Sequence, residues 1–262
     1  MNRTPLIYIV SILLMTICNY SFGQIPTMND VAPIGMSDRN NAQLYGEVIK
    51  IEESIYKVDF SRRVIDKGEF INRHIVTYNS IGNELSDVKL DTDGTEAGKT
   101  ITQYNTDGFK RVTTEYNEVG ERIMQTLYLF TADGLCANMR LTDAMAITMA
   151  TSEVSHGNNW ASISTTYVGA FGNDNAESKF EYNENGRIIK ATITSSDNTT
   201  VKLAKLDSLG HPKSIQTIVN GKTESKKTYK YVLDEYNNWT ERVEYIDNKP
   251  VEIRYRSIEY SE

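Results

Sequence analysis

The sequence predicts an all-β protein: an antiparallel up-and-down meander of about 13–15 short strands, built from β-hairpin repeats into a twisted or curved sheet. Three observations carry this. First, a turn motif recurs: an aromatic residue or leucine, then usually Asn or Asp, two variable residues, and Gly. Its copies are Tyr78-Asn79-Ser80-Ile81-Gly82, Leu90-Asp91-Thr92-Asp93-Gly94, Tyr104-Asn105-Thr106-Asp107-Gly108, Tyr116-Asn117-Glu118-Val119-Gly120 and Phe130-Thr131-Ala132-Asp133-Gly134, with the glycines 12, 14, 12 and 14 residues apart. Second, that period is one strand plus one tight turn, and the runs between copies are rich in Thr, Val, Ile and Tyr, which suit a half-buried pleated surface. Third, hairpin signals continue to the end, among them Asn220-Gly221 and Asp247-Asn248.

The elements follow in order. Residues 1–23 combine Arg3, an apolar run from Pro5 to Ile17 and a small-residue exit at Ser21-Phe22-Gly23, which reads as a secretory signal peptide too short to span a membrane. A lipid anchor at Cys18 is the second reading, set back by Ile17 where a small residue is wanted. Residues 24–43 are polar, carry Pro26, Pro33 and Gly35, and read as a flexible linker. The repeat domain is 44–262. Residues 44–58 read as a strand in preference to a short helix, Asp66-Lys67-Gly68 as a turn, and Phe70 to Tyr78 as the return strand. The repeat then places strands over 83–90, 95–104, 109–116 and 121–130. In 109–116, Val112, Thr114 and Tyr116 share one face.

Residues 135–181 are less regular. Ala144 to Ala150 has helical propensity, yet turn signals persist at His156-Gly157-Asn158-Asn159 and Gly172-Asn173-Asp174-Asn175, so the meander is expected to continue. The triplet Asn158-Asn159-Trp160 recurs as Asn237-Asn238-Trp239. Tyr182-Asn183-Glu184-Asn185-Gly186, Leu206-Asp207-Ser208-Leu209-Gly210 and Leu233-Asp234-Glu235-Tyr236-Asn237 are further copies, the last with Asn in place of Gly, since Asn also visits left-handed backbone. Ser196-Asp197-Asn198 is a turn, and Val251 to Tyr260 is the last strand, either a charge-protected edge or an edge paired in a dimer.

Without residues 1–23 the chain carries 27 basic and 35 acidic residues, because only Arg3 is lost. This acidity disfavours nucleic acid as a partner. Cys136 is then the single cysteine, so the fold must stand on packing without an internal disulfide.

These turns resemble the tyrosine–aspartate (YD, or Rhs-type) repeat proteins, and more closely the exported YD-like repeat proteins of Bacteroidetes. The ending Asn237-Asn238-Trp239-Thr240-Glu241-Arg242, then Asn248-Lys249-Pro250, then Ile258-Glu259-Tyr260, is similar to theirs, as is the opening Leu44-Tyr45-Gly46-Glu47-Val48. The resemblance covers about 44–262 and departs from strict YD repeats in its Asn for Asp and its irregular middle. It implies a role at the envelope or surface and assigns no catalytic residue. The toxin and shell functions of the large Rhs proteins do not carry over to a chain of this length.

The chemistry-bearing residues are sparse. His74, His156 and His211 lack metal-ligand spacing on one element. Asp91, Asp93 and Glu96 form a weak metal candidate, since a calcium loop needs a further bidentate acid at a fixed distance. Tyr78, Tyr104, Tyr116, Tyr182, Trp160 and Trp239 are the candidate binding surface, either a packing ladder or an aromatic platform for sugars. The expected function is a non-catalytic exported structural or binding module at the cell envelope, in the periplasm, at the surface or secreted, with protein or polysaccharide as partner and no cofactor. The alternatives are a carrier of an apolar ligand within a curved sheet and a glycan-acting hydrolase.

Overall fold

The computed structural model describes residues 37–60, 64–132, 134–168 and 175–261. After a short helix α1 (Asp38–Asn41) the chain forms β1 (Val48–Asp59), β2 (Asp66–Tyr78), β3 (Glu84–Leu90), β4 (Glu96–Tyr104), β5 (Lys110–Asn117), β6 (Arg122–Phe130), β7 (Cys136–Asp143) and β8 (Thr148–His156). It continues through β9 (Trp160–Tyr167), β10 (Asn175–Tyr182), β11 (Ile188–Thr194), β12 (Thr199–Leu206), β13 (Pro212–Val219), β14 (Lys222–Leu233), β15 (Trp239–Ile246) and β16 (Lys249–Tyr260). Each strand pairs antiparallel with its sequence neighbours, and β1 pairs with β16, so the meander closes into a barrel of 16 strands. An even number is what lets the first and last strands of an up-and-down path meet antiparallel. Closure removes the edge question: Val251 to Tyr260 is paired on both sides, by β15 and β1.

The all-β meander is as the sequence predicts, with more strands than expected, and the stretch 135–181 contributes β7 to β10 among its described residues. Ala144 to Ala150 is not helical: Asp143 to Ile147 is a turn with Ala146 at φ 63°, and β8 begins at Thr148. Asp66-Lys67-Gly68 is not a turn but the start of β2, where Lys67 faces Val58 across a register shift. Of the predicted linker 24–43, residues 24–36 lie outside the described residues, as do the predicted signal peptide and most of the Gly172–Asn175 turn. Residues 38–41 are instead α1, capped by Ser37, whose Oγ accepts the Asn40 N–H at 3.3 Å.

The motif turns share one mechanism. In the turn after β4, the Gly108 N–H donates to Asn105 O and the Asn105 N–H to Phe109 O, while Asn105 Oδ1 accepts the N–H groups of Asp107 and Phe109 at 3.0 and 2.8 Å. The same side-chain bonds recur at Asn117, Asp143, Asn183, Asp207 and Asp234. The closing glycine takes a positive φ, 82° at Gly108, and Asn237 fills that role at φ 68°.

Strand register assigns the faces. Ala161, Ile163, Phe180, Ala191, Ile215 and Tyr229 point inward and pack as one cluster with Tyr182 and Ile188. The mid-strand positions of the opposite face in β7–β10 are Asn138 and Arg140, Thr151 and Glu153, Ser162 and Ser164, and Glu177 and Lys179. Further round, the outer wall also carries Ile101, Val112 and Leu127.

Alternate turns of the meander share an end, and the segment 37–45 closes one of them. The Arg39 N–H donates to Gly82 O at 2.8 Å in the turn after β2. Asp38 accepts from the Glu84 N–H at 2.8 Å and from the Tyr104 hydroxyl. Arg187, after β10, donates to Asn40 O. The Tyr45 hydroxyl donates to Leu209 O at 2.5 Å, after β12, and the Tyr45 N–H to Asn238 Oδ1 at 2.7 Å, after β14. Ala42 and Leu44 pack inward on Val48, Ile51, Val76 and Tyr78. The segment is therefore a cap tied to turns around the rim. No helix among the described residues is long and apolar enough to cross a membrane.

Candidate binding site

The most concentrated chemistry in the interior lies on the seam that closes the barrel. Glu53 of β1 faces Arg256 of β16. Its Oε1 accepts from Arg254 Nη1 and its Oε2 from Arg256 Nε, each at 2.8 Å. Arg254 Nε also donates to Glu252 Oε1 at 2.6 Å, and Lys227 Nζ reaches Glu244 at 2.7 Å. Burial opposes ionisation of Glu53, but Arg256, Arg254 and Arg242 outweigh it and hold the carboxyl well below its usual range. Burial likewise pulls Arg254 down, and Glu53 and Glu252 more than restore it, so it ends above its ordinary value.

Arg242 is 1% exposed, and its guanidinium nitrogens have no hydrogen-bond partner among the described residues. It lies instead 5.0 Å from the Trp239 ring centre and 5.6 Å from that of Tyr229, while Arg256 lies 3.4 Å from Trp239. Burial lowers the pKa of both Arg242 and Arg256. Glu53, Arg254 and Arg256 thus form an ion network across the β1–β16 pair, shut off from solvent. Nothing in the sequence marked Glu53 as the partner of Arg254 and Arg256, because they are brought together only by closure.

The aromatic residues singled out from sequence do not form one exposed platform. Tyr78 and Tyr182 are inward and buried in the two apolar clusters, because an aromatic at the inner end of a strand fills the barrel. Tyr104 is tied to the cap through Asp38, with its hydroxyl oxygen also 2.7 Å from Glu84 O. Trp239 is 3% exposed in the seam cluster. Tyr116 and Trp160 face outward, with Lys99 and Lys179 at 5.9 and 5.3 Å from their ring centres. The acids of the weak metal candidate also have separate partners. Asp93 Oδ1 accepts from the Thr95 N–H and hydroxyl, which lower its pKa, and Glu96 pairs with Lys99 at 3.0 Å. Among the described residues no group of three or more His, Cys, Asp or Glu is placed to hold a metal.

The histidines lie apart. His74 contacts Asp87 at 3.2 Å, and His156 Nε2 donates to Cys136 O at 2.8 Å. His211, 1% exposed beneath the cap, sits 3.3 Å from Gln43 and 3.1 Å from Asn237 O. Burial lowers its pKa.

At the capped end a cleft of about 770 Å³ opens between the turn after β8 and the turn after β10. Asn158, Asn159, Tyr182, Asn183, Glu184, Asn185 and Gly186 line it. The Tyr182 N–H donates to Asn159 O at 2.8 Å and joins the two turns. The duplicated triplet gives Asn158 and Asn159 of this lining; the rest, Tyr182 to Gly186, is a motif copy, whose role in a cleft is invisible until the two turns are adjacent.

No family model matches the chain, and no curated protein matches it. Among solved structures, a porin-like protein from Bacteroides uniformis is 14% identical, with 81% of this chain and 96% of that chain covered and a TM-score of 0.39. A porin-like protein from Bacteroides vulgatus is 11% identical, covering 82% of this chain and 98% of that chain, TM-score 0.43. The Photorhabdus luminescens Tc holotoxin pore is 13% identical over 71% of this chain and 12% of that chain, TM-score 0.24. At these identities and TM-scores none of the three likenesses carries an argument about the present chain.

Proposed function

We propose that the chain is an exported, non-catalytic β-repeat barrel that acts as a structural or binding module at the cell envelope, with protein or polysaccharide as its partner. The observation that supports this most is the outer wall. Asn138, Arg140, Thr151, Glu153, Ser164, Thr166, Glu177 and Lys179 are outward and exposed on neighbouring strands. A lipid-facing barrel needs an apolar outward band all the way round, and an Arg or Lys at the bilayer midplane costs about 2–4 kcal/mol. This wall suits water. With one end closed by the cap, such a barrel offers its wall, rim and turns to a partner rather than its interior. The carrier alternative would rely on the inward apolar side chains, which are packed on one another.

Detergent-free size exclusion with liposome flotation tests the water-facing wall, and a glycan array with an envelope-protein pull-down tests the binding role. The expected result is a single soluble species that does not float and that retains a glycan or envelope protein. A protein that needs detergent and floats with liposomes contradicts the proposal, as does hydrolysis of an arrayed glycan.

A further inference from the structure

The molecule contains its own control for the role of the Asn-Asn-Trp triplet. At 237–239 every part is wired into the fold. Asn238 is 1% exposed, its Oδ1 accepts the Tyr45 N–H, and its Nδ2 donates to Tyr45 O and the Tyr260 hydroxyl at 2.8 and 2.7 Å. Trp239 is buried under Arg256. At 158–160 the same residues stand at the rim with none of these duties. Asn158 and Asn159 are exposed, and their side-chain amides make no hydrogen bond among the described residues. Asn185 across the cleft is likewise exposed, and among the described residues only its backbone N–H is engaged, to Asn183 Oδ1 at 3.1 Å.

The surroundings are firm. The turn after β10 is fixed by its own bonds and joined to Asn159 through the Tyr182 N–H. Trp160 lies tightly over its turn: a Cβ at Gly157 would meet the indole Nε1 at 2.2 Å. The cleft thus offers unengaged amides on two hydrogen-bonded turns, the Glu184 carboxylate, Tyr182 in its lining and an outward indole beside it. Each amide both donates and accepts, which matches vicinal hydroxyls. Among the described residues the lining includes the Glu184 carboxylate and no cation, which disfavours an anion there, while Lys179 stands 5.3 Å from the centre of the flanking Trp160 ring. Its volume of about 770 Å³ falls within the range of roughly 300–1,000 Å³ typical of small-molecule sites.

We propose that this cleft is a binding site for an uncharged carbohydrate chain, with Asn158, Asn159 and Asn185 as its hydrogen-bonding groups and Trp160 as the flanking apolar face. This rests on the reading of the chain as a binding module and names the class of ligand. The test is affinity electrophoresis of the full chain through gels of dextran, laminarin or mannan, all neutral, with polygalacturonate as the anionic comparison. The triple variant Asn158→Ala/Asn159→Ala/Asn185→Ala is run beside it. Retardation by at least one neutral polysaccharide is expected, weakened more than 10-fold in the triple variant, whose melting temperature stays unchanged because those amides support nothing internal. Saccharide titration should also shift the fluorescence of the native protein, and the shift should disappear in Trp160→Phe. Retardation equal in native and triple variant overturns the site while leaving the binding module standing. Retardation by polygalacturonate alone overturns the ligand class, and no retardation in any neutral gel overturns the inference as a whole.

Discussion

At the scale of single residues, Glu53 ties the two strands of the barrel's seam by accepting from Arg254 and Arg256. Removing one partner of a buried, hydrogen-bonded ion network leaves the others uncompensated and costs about 3–5 kcal/mol. Glu53→Gln should lower unfolding stability by about that amount in urea titration. The pH dependence has a definite sign. Because the folded carboxyl titrates below its unfolded value of about 4.3, its contribution is complete above that pH and is lost as pH falls below it toward the folded value. Native protein should therefore lose stability as pH drops through about 4, and Glu53→Gln should lose less over the same interval. A variant as stable as native at neutral pH would show that the network contributes nothing.

At the scale of elements, the turns were legible in the sequence and the cap was not. The repeat fixes where strands 83–90, 95–104, 109–116 and 121–130 begin and end, because Asn or Asp side-chain bonds and a left-handed residue are local requirements that residue type reveals. The turns also differ in ways that predict stability. Gly94, at φ 86°, has open space where an added Cβ would stand, whereas at Gly134, φ 81°, the Phe109 ring would lie 2.7 Å from that atom while stacked on Phe130. Gly94→Ala should cost only the left-handed backbone, about 1–2 kcal/mol. Gly134→Ala should cost measurably more in the same denaturation assay, and equal costs would mean the ring yields freely. The cap lies in a polar stretch without period, since its bonds are long-range: Asp38 meets Glu84 and Tyr104, and Tyr45 meets Leu209 and Asn238. Asp38→Ala leaves the Glu84 N–H without its acceptor and frees the start of the cap. Limited proteolysis should then cut within 37–46 much faster than in native protein, and an unchanged rate would mean that the cap is held without Asp38.

At the scale of the whole molecule, the sequence left open whether the meander closes, because closure depends on residues some 200 positions apart such as Glu53 and Arg256. The same limit hid the candidate cleft: its lining was in view as two turn signals, but their adjacency comes from β9 and β10 pairing. Closure also decides what the wall means, since inside and outside exist only once the sheet is a barrel. The most direct measurement is electron paramagnetic resonance with spin labels at Glu52 and Ser257, outward residues paired across the β1–β16 seam. Closure predicts strong dipolar broadening, from backbones about 5 Å apart. An open sheet of the same strands would hold the labels roughly 70 Å apart at ~4.8 Å per strand, and an unbroadened spectrum would contradict the barrel.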